Sequence, residues 1–195
     1  MIKRTFDLIS SFIGIIILMP LLIILGLFVK FSSSGPILFK QQRVGRYGKL
    51  FYMIKFRTMF VQQESNSSVS VKGDKRITKI GAFLRKTKLD ELPELWNVFI
   101  GEMSIVGPRP DVPGFADTLK GDDRKILTLR PGITGPASLK FANEEQLLAK
   151  VKDPEEYNRT VIFPEKVRLN LKYYHENNFI IDLRIIFATL FRVNY

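Results

Sequence analysis

The chain has 195 residues, with 30 Lys and Arg against 19 Asp and Glu, a net charge of +11, one histidine, no cysteine and 46% hydrophobic residues. That length holds one domain. The lack of cysteine excludes a disulfide framework, a thiolate nucleophile, Cys-ligated zinc and iron–sulfur clusters, and the lone His175 excludes a His-pair metal site. No Walker loop, dinucleotide-binding glycine fingerprint or G-x-S-x-G occurs, so catalysis falls to carboxylates, Lys, Arg and a hard metal ion.

From Leu8 to Val29 the chain carries no charge and consists mainly of Ile, Leu, Phe and Val. A straight helix over this run reaches about 33 Å, close to the ~30 Å thickness of bilayer hydrocarbon. Pro20 lies near its middle, where it cannot donate to the Ile16 carbonyl and costs about 3 kcal/mol, so a bend is predicted there. Three readings compete: a spanning helix, a helix-break-helix that re-enters one leaflet, and a cleaved signal peptide. The apolar core is too long for the last. Lys3 and Arg4 precede the run and Lys30, Lys40, Arg43, Arg46 and Lys49 follow it, which makes both ends cytoplasmic by the positive-inside tendency. Beside such an anchor the basic surface reads as facing anionic lipid headgroups and phosphates, and not nucleic acid.

Beyond the anchor, Ile37–Phe39 and Phe51–Phe56 predict a β-hairpin around Gly45 and Gly48. Val61–Gly73, rich in Gln, Ser and Asn, predicts a mobile loop. Short helices are expected over Ile77–Arg85 and Leu92–Phe99, Pro/Gly loops over Gly107–Pro113 and Arg130–Pro136, and further helices over Asn143–Lys152 and Pro164–His175. In Phe179–Val193 the spacing of Phe179, Leu183, Ile186, Phe187 and Leu190 fits a core helix, with an interfacial helix as the alternative.

The densest polar cluster runs from Arg85 to Glu94, three cations followed by three carboxylates. On these residues alone it reads first as a helix start, with Asp90 as N-cap, and otherwise as a phosphate-handling site. In the second reading cations keep Asp90 ionised as a nucleophile toward phosphorus while its neighbour holds Mg²⁺. Arg109 stands between two prolines that restrict its backbone, and Lys55, Arg57 and Arg130 supply more phosphate donors.

The motifs K55-F-R-T-M, D74-K-R-I-T, D90-E-L-P, N97, G101-E-M-S-I-V-G-P-R-P and R130-P-G-I-T-G, with Gln42-Arg43 and Asp182-Leu183, stand in one order over nearly the whole chain. They closely resemble the bacterial sugar transferase family, the monotopic phosphoglycosyl transferases. The resemblance implies an α+β, mainly helical fold: a re-entrant membrane helix-break-helix over 1–31 with its break at Pro20, then one catalytic domain over 32–195 with a short hairpin and amphipathic interfacial helices. It implies transfer of a sugar-1-phosphate from a UDP-sugar to polyprenyl phosphate with release of UMP, at the cytoplasmic face of a bacterial inner membrane. Asp90 matches the family nucleophile and Glu91 its acidic partner at Mg²⁺; Lys55, Arg85, Arg109 and Asp182 match positions implicated in substrate binding or site integrity. A homo-oligomer is compatible with this reading. The rival is a non-catalytic, membrane-anchored basic binding module. Pro136-Ala137-Ser138 after Gly135, where relatives often have Trp-Ala-Gln, and Glu94, where Gln is frequent, depart from the family pattern and leave the donor sugar open.

Overall fold

A computed structural model describes residues 2–61 and 74–193. Apart from Val61, the expected mobile loop lies outside them. The first helix, α1 (Ile2–Ser32), continues through Pro20, so the break expected there is not seen. The reason lies in its faces. Asp7, Ser11, Leu25 and Val29 are buried and recur at helical spacing on one stripe. Ile9, Ile13, Ile16, Ile17, Ile23, Ile24, Leu27 and Phe31 are exposed around the opposite side, and Pro20 shares that outer face. A proline whose ring and missing donor face outward leaves the packed side of the helix undisturbed.

The stripe packs against the rest of the chain along its length. Near the start of α1, Arg4 donates to the carbonyls of Val98 at 2.7 Å and Phe99 at 2.9 Å, and Asp7 accepts from Ser104 Oγ at 2.8 Å and the Ile105 amide at 3.1 Å. Near its end, Leu25 and Val29 pack with Phe56 and Leu84.

Strands β1 (Leu38–Val44) and β2 (Leu50–Phe56) form the antiparallel hairpin, with Leu38 opposite Phe56 and Val44 opposite Leu50. Helix α2 (Lys79–Thr87) starts at Thr78, whose hydroxyl accepts from the Gly81 amide at 2.8 Å, and stops at Lys88, which adopts φ +62°. Gly81 packs directly on the Thr58 backbone; a Cβ there would overlap the Thr58 carbonyl. After a 3₁₀ turn at Leu89–Glu91 comes α3 (Glu94–Ile100). Asn97 on α3 pins it to β2: its side-chain carbonyl accepts from the Ile54 amide at 3.1 Å and its amide donates to the Tyr52 carbonyl at 2.8 Å. Val98 and Met103 close over Phe51 and Met53.

A parallel pair of three-residue strands, β3 (Ser104–Val106) and β4 (Gly132–Thr134), is absent from the sequence reading; β4 lies within the expected Arg130–Pro136 loop and corrects it, and β3 leads directly into the Gly107–Pro113 loop. Short helices α4 (Pro136–Lys140), α5 (Glu144–Leu148) and α6 (Pro154–Tyr157) lead through a π turn into α7 (Phe163–Glu176) and α8 (Phe179–Phe191). In α8 the inward face is Asp182, Ile185 and Ala188, whereas Phe179, Leu183, Phe187 and Leu190 are exposed. The core assignment of that apolar stripe is therefore corrected: α8 is core on one side and presents a wide apolar face on the other.

Candidate active site

Asp90 and Glu91 occupy the joint between α2 and α3. The left-handed Lys88 turns the chain sharply, the Leu92 amide closes the 3₁₀ turn onto Leu89 at 3.3 Å, and Pro93 leads into α3. Asp90 is thus not a helix N-cap; its side chain caps nothing, and Pro93 occupies that position. Both carboxylates are buried. Lys55, near the end of β2, reaches across to Glu91 Oε1 at 3.0 Å and to Glu94 Oε1 at 3.2 Å.

Arg109 arrives from the other side. Its loop is clamped by hydrogen bonds from the Gly132 amide to the Pro108 carbonyl at 2.8 Å and from the Val44 amide to the Asp111 carbonyl at 2.9 Å. Arg43 adds a bond to the Pro110 carbonyl at 3.2 Å. Held in this way, the Arg109 guanidinium ion-pairs with Glu91 Oε1. Arg85 joins the edge of the site, where its terminal nitrogens pair with Glu145 of α5 and lie 3.5 Å from Thr58 Oγ1, and its charge acts on Asp90.

The two adjacent carboxyls are driven apart electrostatically. Burial opposes ionisation of Glu91, but Arg109 and Lys55 outweigh it and hold its carboxyl well below the ordinary range. Burial and the neighbouring Glu91 charge push Asp90 up, against the cations Lys55, Arg85 and Lys88. The expectation that its cationic neighbours dominate Asp90 is corrected: they go chiefly to Glu91. Asp90 Oδ1 is fully buried without a hydrogen-bond partner. Glu94, a third carboxyl on the same side, is raised by burial in spite of Lys55.

Lys55, Arg85, Asp90, Glu91 and Arg109 therefore come together as expected. Three other candidates do not. Arg57 is buried at the end of α1, donating to the carbonyls of Val29 at 3.2 Å, Ser33 at 2.7 Å and Pro36; it caps the anchor helix and is spent there. Asp182 accepts from Lys3 at 2.5 Å and from Tyr173, tying α1, α7 and α8 together. Arg130 Nε donates to the Gly101 carbonyl at 3.0 Å, at the opposite end of α3 from the dyad. Sequence reasoning did not single out Arg43 and Asp111 as site groups, although burial lowers Arg43 to about 10 and pushes Asp111 up to about 6 against Lys166 and Arg43. The sequence signals for them are Arg43's place in the Gln42-Arg43 motif and Asp111's place two residues after Arg109 in the same loop.

Two mutually exclusive jobs are thus prepared side by side: a salt-bridged carboxylate fixed in the charged form, and a buried carboxyl with one oxygen uncommitted. The family model described as bacterial sugar transferase matches residues 1–194. The chain belongs to the bacterial sugar transferase family. The exopolysaccharide production protein PSS of Rhizobium leguminosarum bv. phaseoli is 36% identical over 197 residues, covering 97% of this chain and 93% of that protein. A UDP-glucose:undecaprenyl-phosphate glucose-1-phosphate transferase of Klebsiella pneumoniae is 35% identical over 97% of this chain but only 39% of its own length. A putative undecaprenyl-phosphate N-acetylgalactosaminyl 1-phosphate transferase of Bacillus subtilis is 39% identical over 64% of this chain and 76% of that protein. This transferase chain thus aligns with nearly all of one relative and about two fifths of another.

Proposed function

We propose that the chain transfers a sugar-1-phosphate from a UDP-sugar to polyprenyl phosphate and releases UMP, with Asp90 as a covalent nucleophile. The observation that carries this reading is the uncommitted, buried Asp90 Oδ1 next to a Glu91 carboxylate already neutralised by Lys55 and Arg109. In the first displacement the Asp90 carboxylate forms a bond to the sugar-bearing phosphorus as the diphosphate P–O bond breaks, and UMP leaves. In the second a phosphate oxygen of the polyprenyl carrier attacks that phosphorus. The Asp90–phosphorus bond then breaks, and the carboxylate returns. Arg109, Lys55 and Arg85 offset the repulsion between an anionic nucleophile and an anionic diphosphate.

Among the described residues no group of three Asp, Glu or His side chains is placed to hold a metal ion. The ionised Glu91 carboxylate nevertheless fits Mg²⁺, which is commonly held by one or two carboxylates with substrate phosphates completing its shell, and this leaves Asp90 Oδ1 for the nucleophilic role. Bound there, Mg²⁺ would neutralise charge on the diphosphate. The relatives' names include undecaprenyl-phosphate sugar-1-phosphate transferases acting from UDP-glucose, which supports both substrate classes without fixing the sugar. The apolar outer face of α1 supports attachment to a membrane, and the Lys and Arg on both sides of the uncharged run support the cytoplasmic side, where the lipid phosphate and the nucleotide sugar can meet.

The test is direct. Purified full-length chain, Mg²⁺ and a panel of UDP-sugars without acceptor should give a phosphosugar adduct on Asp90 by mass spectrometry, and adding polyprenyl phosphate should release UMP catalytically. Asp90→Asn should show neither. UMP turnover without any adduct would replace the two-step route with direct transfer.

A further inference from the structure

Three guanidinium groups lie close together around the far end of α3. Arg4 donates to the Val98 and Phe99 carbonyls, Arg130 Nε to the Gly101 carbonyl, and Arg46 Nε to the Thr128 carbonyl at 2.7 Å, two residues before Arg130. Among the described residues none of the three forms an ion pair with Asp or Glu. Asp7, the nearby acid, accepts from Ser104 and Ile105 and pairs with none of the three arginines. Burial and the charges of Arg46 and Arg4 lower the Arg130 pKa, and the Asp7 charge opposes that shift without offsetting it.

Helix-end carbonyls explain why single cations gather here, but not why Arg46 and Arg130 each commit only Nε and leave both terminal nitrogens without a protein partner among the described residues. Two such forks beside a third fixed cation match a phosphate, which accepts paired N–H donors. The depth of the cluster names the source. Arg4 belongs to the first turn of α1, just before the uncharged run begins at Leu8, so the cluster lies where the anchor meets water. Arg46 also stacks 4.6 Å from the ring centre of the exposed Tyr47, a pairing suited to the headgroup layer. Across α3 the dyad lies about 10 Å away, given a rise of about 1.5 Å per residue.

We propose that Arg46 and Arg130, with Arg4, form a binding site for the phosphate of an anionic membrane lipid, separate from the Asp90–Glu91 site. It orients the anchored domain on the leaflet and does not depend on the proposed reaction. The test uses the full-length chain in detergent, titrated with phosphatidylglycerol and read by native mass spectrometry. Wild type should retain one lipid, and the pair Arg46→Gln with Arg130→Gln should retain it about tenfold less. Arg46→Gln alone leaves the α3 carbonyls capped by Arg4 and Arg130, so it should weaken retention with unchanged thermal unfolding. A control removing two exposed charges elsewhere, Lys150→Gln with Lys152→Gln, should retain the lipid as wild type does. Equal retention by wild type and the Arg46/Arg130 pair overturns the site. An equal loss in the lysine control reduces it to bulk charge and overturns it as well. Displacement of the lipid by equimolar inorganic phosphate would assign the forks to a soluble anion and overturn the lipid assignment.

Discussion

Glu91 is the residue on which the charge balance of the site turns. Its carboxylate is the acid paired with Arg109, while Lys55 divides itself between Glu91 and Glu94. Glu91→Gln therefore leaves the half-buried Arg109 guanidinium without its acid. Solvent at the exposed side of Arg109 screens part of the loss, so urea unfolding should show a destabilisation of about 1 kcal/mol. The depressed Glu91 pKa makes this stabilisation present above the unfolded pKa of about 4.3 and lost only as pH falls far below it. Asp111 has the opposite sign. Its carboxyl, up to about 6 when folded, binds its proton more tightly in the native chain than in the unfolded one, where the pKa is about 3.9. Folding stability from this group consequently falls as pH rises from about 4 to about 6. Asp111→Asn should melt higher than wild type at pH 7 and show a smaller decline across that interval; superimposable melting profiles would remove Asp111 from the account. Single-residue chemistry was legible only in part. A sequence tells that Arg57, Arg130 and Asp182 are charged, but not that Arg57 donates to the carbonyls at the end of α1, that Arg130 gives its Nε to the Gly101 carbonyl, or that Lys3 and Tyr173 occupy Asp182.

At the scale of elements, the dyad is placed by how closely α2 approaches the segment after β2. Gly81 in α2 lies on the Thr58 backbone with no room for a side chain, and the Thr78 amide bonds the Thr58 carbonyl at 3.0 Å. Helix propensity alone would make Gly81→Ala stabilising by about 1 kcal/mol. Backbone overlap outweighs that gain, because α2 must withdraw from Thr58 and carry the Leu89–Glu91 turn with it. The expected result is a lower melting temperature together with loss of UMP release, and a variant more stable than wild type would refute the close approach. The hairpin and the helices were readable because each repeats a period of two or 3.6 over several residues. Strands β3 and β4 were not, since three residues are too few for a period and their pairing joins segments far apart in sequence. The N-cap alternative for Asp90 fails for a similar reason: acids before Pro93 look like a helix start, and only the left-handed Lys88 reveals a separate 3₁₀ turn. The dyad itself was legible, since the order of short motifs around Asp90-Glu91 survives any error in element boundaries.

For the molecule as a whole, the stripe of α1 bears on the proposed attachment to one leaflet. Its start is bound to α3, β3 and Asp182 of α8, and its end packs on Phe56 of β2 and Leu84 of α2. A helix of 31 residues reaches about 46 Å at a rise of about 1.5 Å per residue, so perpendicular insertion would draw these elements into hydrocarbon beside it. The paired charges of Lys55, Glu91 and Arg109 belong to the same body, and ionised groups in hydrocarbon are costly. Lying with the stripe toward the domain and the Ile-rich face toward lipid satisfies both constraints. Since the chain has no cysteine, single cysteines at Ile2 and Ser34 report the two ends of α1 without background. Both should resist an impermeant maleimide in intact cells and react after permeabilisation, and labelling of one end alone from outside would establish a spanning helix. Pro20→Leu gives the sharper version. If the proline alone kept α1 from crossing, this variant would expose one end. Because Arg4 holds the start of α1 on α3 and Arg57 caps its end from β2, both cysteines should stay on the same side when Pro20 is replaced.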